Sequence, residues 1–272
     1  MPTSVDVVVV SYNTRVLTLA AIASLVDARP AALQRVFLVD NASTDGSVAA
    51  VRTTFPSVEV IALQKNVGFG AANNQAIRRA TAPLVLLLNS DAVVPPGAID
   101  GLVARLEATG AVAIGPRLVD ERGHPEVSFG RMLSPIVEFV QRSRVRVSRR
   151  GGARARRYVD RLLARERDVD WVSGACLLMR RTAALDAGLF DERFFLYEED
   201  VDLCAALRAR GGRVVFTPAV TITHLGGRSG RPTDPTGATH YDRSHLAFYE
   251  KHLPGWAPWL RVWLRLRGRR IQ

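Results

Sequence analysis

Four groups of polar residues have the types and spacing to do chemistry. Asp40 follows the apolar run Val36–Val39, and Asp91 closes Asn89-Ser90-Asp91 after the apolar run Leu84–Leu88. A carboxylate at the end of a buried strand can accept hydrogen bonds from a base or ribose, or hold a divalent cation that bridges two phosphates. Either one alone is more often a turn or helix-capping residue; the pair at equivalent strand ends points to a ligand crevice. Glu198-Glu199-Asp200-Val201-Asp202 gathers four carboxylates at a helix start whose far end carries Arg208 and Arg210. One or two acids would suffice to offset the helix dipole. Four repel one another, which suggests a task for at least one, such as general base. His224 leads into Leu225-Gly226-Gly227-Arg228-Ser229-Gly230. There an imidazole can ligate a metal while amides and a guanidinium hold phosphates; an ordinary surface histidine before a flexible loop is the equal alternative.

A fifth pattern is a decoy. Gly68-Phe69-Gly70-Ala71-Ala72-Asn73 follows a predicted strand and opens a helix, nearly matching a dinucleotide fingerprint. Its sixth position is Asn73, where close helix–strand packing asks for a small residue, and it follows the third strand instead of opening the chain.

The elements that must position these groups alternate. Val5–Val10, Val36–Val39, Val58–Leu63, Leu84–Leu88 and Ala111–Ile114 read as strands. Leu17, Ala20, Ala21, Ser24 and Leu25 share one face of a helix capped by Asn13 or Thr14. A second helix starts at the turn Asn41-Ala42-Ser43-Thr44-Asp45-Gly46, a third follows Asn66-Val67-Gly68-Phe69-Gly70 through about Ala80, and Ile99, Leu102, Val103 and Leu106 mark a fourth. This succession predicts an α/β fold with a mostly parallel sheet, helices on both faces and ligands at the C-terminal strand edge. After about Gly130 the chain becomes basic and loop-rich, followed by a strand at Trp171–Met179, a helix after the acidic turn and a short strand at Val214–Thr217. The expected organisation is a ligand-binding half over 1–129, a second half of the same domain over 130–230 with a basic loop at 142–167, and a helical basic tail over 231–272.

Composition narrows the class. The chain has 272 residues, 47% of them hydrophobic, enough for a sizeable core. Its two cysteines, Cys176 and Cys204, cannot form a disulfide framework, and no apolar run is long enough to span a bilayer. No signal peptide is evident, so the expected location is cytosolic. The net charge of +11 is concentrated. Eleven arginines stand against Asp160 and Glu166 between Arg142 and Arg167, and six basic residues with no acid run from Lys251 to Gln272. Such clusters seek phosphates, unless the first is simply a solvated arginine-rich loop. Nothing resembles a nucleic-acid reading helix, and Arg142–Arg157 holds no aromatic residue, so no nucleic-acid partner is expected. In the tail, Trp256, Trp259, Leu260, Trp263 and Leu264 fall on one helical face amid Arg261, Arg265, Arg267, Arg269 and Arg270. That face suits either an anionic membrane interface or the protein's own core.

Taken in order, the motifs resemble a family: nucleotide-sugar glycosyltransferases of family 2 with the GT-A fold, in particular the bacterial rhamnosyltransferase-like branch. The resemblance runs from Val5 to about Ser229. It is carried by Val9-Val10-Ser11-Tyr12-Asn13, Val39-Asp40-Asn41-Ala42-Ser43-Thr44-Asp45-Gly46, Asn66-Val67-Gly68-Phe69-Gly70 with Asn73, and Asn89-Ser90-Asp91. Val172-Ser173-Gly174-Ala175, Phe190-Asp191-Glu192-Arg193-Phe194-Phe195, Tyr197-Glu198-Glu199-Asp200-Val201-Asp202-Leu203 and His224 with Gly226-Gly227 and Ser229 continue it. The resemblance implies a Rossmann-like, mixed and mostly parallel sheet with an inserted acceptor-side region. It implies that Asp40 contacts the base, with Ser11 and Asn13 lining the same pocket and Asn66 and Asn73 on the donor side. Asp91 would bind Mg²⁺ or Mn²⁺ on the diphosphate, with His224 as second ligand and Arg228 and Ser229 holding the diphosphate. Asp200 would be the catalytic base, and Trp171, Ser173, Gly174 and Glu199 would lie beside acceptor or sugar. Asn89 replaces the first acid of the family's DxD motif, so metal independence stays open. The implied activity is inverting transfer of a sugar, with L-rhamnose from dTDP-L-rhamnose the favoured donor, to a cell-envelope glycan or a polyprenyl-diphosphate-linked acceptor. The implied place is the cytoplasm, peripheral on the inner membrane face. A non-catalytic nucleotide-sugar-binding module would keep Asp40 but has no use for Asp200 and His224.

Overall fold

The computed structural model describes residues 2–140, 153–225, 235–267 and 269. The chain begins with β1 (Val5–Ser11), α1 (Arg15–Ala28), β2 (Leu33–Asp40), α2 (Ser47–Thr54), β3 (Glu59–Ala62), α3 (Phe69–Arg79) and β4 (Leu84–Asn89). Then come β5 (Ala92–Val93), α4 (Ala98–Thr109), β6 (Ala113–Val119), β7 (Pro125–Glu126), β8 (Phe129–Gly130) and α5, described over 135–140. The remainder is α6 (Ala153–Leu162), β9 (Arg167–Val169), β10 (Trp171–Val172), β11 (Cys176–Arg180), α7 (Arg181–Asp186), α8 (Glu199–Ala209), β12 (Val214–His224), α9 (Pro235–His252) and α10 (Ala257–Leu266).

The main sheet has the order β3-β2-β1-β4-β11-β6-β12-β5, with β7 beside β6 and β9 beside β12. The first four strands are parallel, as right-handed crossovers through helices require. Successive side chains of a strand face opposite sides, so β1 serves two cores at once. Val7 and Val9 join Leu84, Leu86 and Leu88 against α1 and α4, whereas Val8 joins Val85 and Leu87 against α3 and α8. Asp6 interrupts the apolar run without harm. Its Oδ2 accepts from the Thr81 and Ala82 amides at 2.8 and 3.0 Å and pairs with Arg35 at 3.3 Å.

The second half departs from the sequence-based expectation in three places. The basic stretch expected as loop carries α5 and, within 142–167, the helix α6. The strand expected over Trp171–Met179 is broken at Ser173-Gly174-Ala175: β10 pairs with β8 in a separate ribbon, while β11 runs antiparallel between β4 and β6. Gly115 permits this crossing, because a Cβ there would meet the Val172 side chain at 2.7 Å. The strand expected to end at Thr217 continues to His224 after a register shift between Thr217 and Thr221. Its extension pairs His224 with Ala92 of β5, directly after Asp91.

The tail divides its apolar residues between the core and the surface. Ala257 and Leu264 are buried and Leu260 packs on the cluster of Phe194, Val201, Phe248 and Tyr249, which docks α10 on α9. Trp256, Trp259 and Trp263 point outward, 54%, 71% and 36% exposed.

Candidate active site

A cleft of about 320 Å³ opens where the C-terminal ends of the parallel strands meet the loop before α8. Asn66, Gly68, Asn89, Ser173, Gly174, Glu199, Asp200 and His224 are among its lining residues.

On the strand side, Ser11 and Asp40 are register partners at the ends of β1 and β2, both buried. Asp40 Oδ2 accepts from the Ser43 amide at 2.9 Å, while Asp40 Oδ1 and Ser11 Oγ are buried polar atoms with no partner among the described residues. Asn13 holds φ +52° and clips the two strand-end loops together: Ser43 Oγ accepts from its amide at 2.9 Å and its Oδ1 accepts from Thr44 N at 2.8 Å. Asn66 Oδ1 accepts from Gly68 N, shaping the turn before α3. That turn lies close against Phe195, whose carbonyl oxygen leaves no room for a Cβ on Gly68, where φ is +89°. Asn73 lies within α3 outside the cleft lining; it is buried and its Nδ2 donates to Phe69 O at 2.9 Å.

Asp91 is 1% exposed, and neither carboxylate oxygen has a hydrogen-bond partner among the described residues. His224 Nε2 lies 3.3 Å from its Oδ1 and 3.3 Å from Asn89 Nδ2, and Nδ1 lies 3.0 Å from Glu126 Oε2. A carboxylate on Nδ1 leaves Nε2 to face the cleft, the arrangement that orients metal-binding histidines. Burial pulls the His224 pKa down, but the Asp91 and Glu126 carboxylates beside it outweigh that, and the imidazole is pushed up to about 9. A buried carboxylate beside an imidazole is a donor set that suits Mn²⁺ or Mg²⁺ once diphosphate oxygens complete the shell. The residues present therefore fit such an ion.

On the opposite wall, Tyr197 and Glu198 adopt left-handed conformations in succession, φ +71° and +64°. Such backbone costs about 1–3 kcal/mol per residue and persists only where surroundings impose it. It turns the chain into α8 so that Asp200 faces Gly174: Asp200 Oδ2 accepts from Gly174 N at 2.8 Å and Oδ1 from Val201 N at 2.8 Å. Burial raises the pKa of Asp200, although those amides oppose it. Glu199 goes well above the carboxylate range through burial and the neighbouring Asp200 charge. Trp171 lies outside the cleft lining; its Nε1 donates to Arg131 O at 3.0 Å and its indole covers Gly130. Arg228 and Ser229, with residues 142–152 of the basic loop, lie outside the described residues.

The sequence reading missed several groups. Asn41, next to Asp40, ties β2 to the turn before α3, accepting from Val67 N at 2.9 Å and donating to Gly68 O at 3.2 Å. Its place in the strand-end motif was a usable signal. Glu126 and His245 gave none, because their partners are far away in the chain.

Ser11, Asn13, Asp40 and Asp91 adjoin the lining residues Tyr12, Asn41 and Ser90 without lining the cleft themselves. A mostly parallel sheet with acids at its strand ends, and a cleft lined by a carboxylate on a helix start, defines a GT-A-type α/β domain. The sequence pattern of glycosyl transferase family 2 matches residues 6–184, and the chain belongs to that family. It is 33% identical over 263 residues to an N-acetylglucosaminyl-diphospho-decaprenol L-rhamnosyltransferase of Mycobacterium tuberculosis, covering 89% of this chain and 82% of that one. It is 29% identical over 233 residues to the O-antigen biosynthesis protein RfbC of Myxococcus xanthus, covering 83% of this chain and 17% of that one. In fold it is similar to the mannosyltransferase PcManGT of Pyrobaculum calidifontis, solved with GDP-Man and Mn²⁺. There the TM-score is 0.60 at 21% identity, over 96% of this chain and 68% of that one.

Proposed function

We propose that this glycosyltransferase is an inverting, divalent-metal-dependent enzyme that moves L-rhamnose from dTDP-L-rhamnose to a hydroxyl of a polyprenyl-diphosphate-linked sugar. The observation that carries it is Asp200, oriented by two backbone amides and lining the same cleft as His224, whose imidazole meets Asp91. The M. tuberculosis relative supports the choice of sugar and lipid-linked acceptor.

In this reading Asp40, Ser11 and Asn13 hold the nucleoside, Asn66 shapes the donor-side turn, and Arg228 with Ser229 grip the diphosphate. Asn73 acts through the helix that carries the turn. Asp91 and His224 would hold Mg²⁺ or Mn²⁺. The ion would supply positive charge to the departing diphosphate. Asp200 takes the proton from the acceptor hydroxyl as its oxygen bonds to the anomeric carbon and the bond to the diphosphate breaks. One base and a single displacement invert the anomeric centre with no covalent intermediate. Ser173, Gly174 and Glu199 contact acceptor or sugar, and Trp171 braces that wall from behind. The acceptor's lipid places the reaction at the cytoplasmic face of a membrane, where the protein would act peripherally. Among the described residues no helix is long and apolar enough to cross a membrane.

The test is thermal stabilisation and nucleotide release with dTDP-, UDP- and GDP-sugars in the presence of Mg²⁺, Mn²⁺ or EDTA. A bound donor raises the melting temperature with its concentration over Kd. Stabilisation by dTDP-L-rhamnose that EDTA cancels is the expected result. Stabilisation by another donor alone rejects the sugar, and stabilisation indifferent to EDTA rejects the metal.

A further inference from the structure

We propose that α10 seats the protein on an anionic lipid surface. A terminal helix that served only its own core would turn its largest apolar side chains inward, since each tryptophan buries some 150–250 Å². Here Ala257, Leu260 and Leu264 make the docking, while Trp256, Trp259, Val262 and Leu266 face out, from 51% to 83% exposed. The outward face is also cationic. Arg265 is exposed, the Arg267 guanidinium lies 3.9 Å from the Trp263 ring centroid, and Arg261 is exposed while pairing with Glu250 of α9. No acidic residue follows Glu250 in the chain. Indole rings beside arginines match the boundary between headgroups and acyl chains, and the charge selects anionic lipid. A second apolar ridge, Ile136 and Phe139 of α5, is 77% and 74% exposed. Its neighbour Glu138 accepts from Tyr249 Oη of α9, the helix on which α10 also packs. This placement deepens the lipid-linked acceptor reading, because a glycan on a polyprenyl anchor is reached only at such a surface.

The experiment is co-sedimentation of the full chain with vesicles of phosphatidylcholine alone or mixed with phosphatidylglycerol. Binding to the mixed vesicles, weakened by salt, is expected, and Trp256→Ser/Trp259→Ser should lower partition about tenfold or more. Partition unchanged in the variant, or no partition by the wild type, overturns the proposal. So does a self-association that the same substitutions abolish without lipid, which would make a second copy the occupant. Vesicle binding needs no sugar donor, so a failed transferase assay leaves it readable. Turnover on a short-chain, water-soluble acceptor should be the same in variant and wild type.

An independent observation concerns the strained turn. We infer that His245 is a positioning residue for Asp200. Glu198 is 7% exposed, and its Oε1 lies 2.7 Å from His245 Nδ1; His245 Nε2 lies 3.2 Å from Glu138 Oε2. Ser244 Oγ donates to Leu196 O at 2.7 Å, and Tyr241 stacks on His245 with centroids 5.4 Å apart. One stretch of α9 thus grips 196–198, the residues whose backbone aims Asp200, although none of α9 lines the cleft. The test compares His245→Ala and His245→Gln by kcat, donor KM and melting temperature. A fall in kcat of about tenfold with KM unchanged, partly restored in His245→Gln, is expected. Both variants melting lower while keeping wild-type kcat and KM would leave His245 a structural residue only.

Discussion

On the strand side of the cleft, Asp40 ends β2 and Asp91 follows β4 by two residues, each carried by the stiffest part of the parallel sheet. On the α8 side, Asp200 hangs from two left-handed residues that are held by a helix 40 to 50 positions further along the chain. The first arrangement is rigid because its backbone is paired on both flanks. The second is rigid only through buried polar contacts, so it stores strain and depends on distant residues. A site that must bind a ligand can use the first. Aiming one carboxylate into a cleft from the first turn of a helix entered through a tight turn requires the second.

The largest expected effect isolates the α8 side. Asp200→Asn should lower kcat about 10³-fold while donor binding, read by calorimetry, is unchanged, since a general base contributes about 10²–10⁴-fold. Equal losses in kcat and donor affinity would erase the division between the two sides. The junction is next. Gly68→Ala forces a Cβ against Phe195 O at a positive φ, and should cost about 3 kcal/mol or more in denaturant unfolding. On the strand side, Asp91→Asn should weaken metal-dependent donor binding about 100-fold with the fold intact, because carboxylate charge is lost from the proposed cation site.

The smallest effect is in pH. Burial lowers the His245 pKa, yet Glu138 and Glu198 outweigh it and lift the imidazole to about 9, above its ordinary 6.5. The stability this contributes is complete below pH 6.5 and lost as pH climbs through about 9. Burial also raises Glu198 despite the nearby imidazole, so the net gain from the cluster is small, of order 1 kcal/mol. Melting curves of wild type and His245→Gln should therefore converge toward pH 9 and above. A gap that widened instead would remove the charged pair from the account of the turn.

The two sides also differ in how much of them the sequence discloses. Asp40 and Asp91 stand out because each follows a run of apolar residues, and a period-two or continuous apolar pattern is local information. The carboxylates at 198–202 were visible as an excess over what a helix dipole needs. Their geometry was not, for it rests on Gly174, Ser244 and His245. Glu126, 98 positions from His224, carries no mark of its role. The break at Ser173-Gly174-Ala175 was hidden because flanking strands in different sheets share one apolar run. Asn73 and Trp171 each had a functional residue type in a motif, yet local packing turns them away from the cleft: a helix carbonyl takes one and Arg131 O takes the other.

The insertion of β11 between β4 and β6 carries a consequence for biogenesis. A chain leaving the ribosome has made β1 to β6 long before the strand that joins β4 to β6 exists. Until Arg180 has emerged, Leu84–Asn89 and Ala113–Val119 each lack their antiparallel neighbour and offer bare edges to other chains. The first 129 residues are thus a poor candidate for a separable folding unit. Their expression alone should yield aggregates, and refolding of the whole chain should wait on this long-range closure.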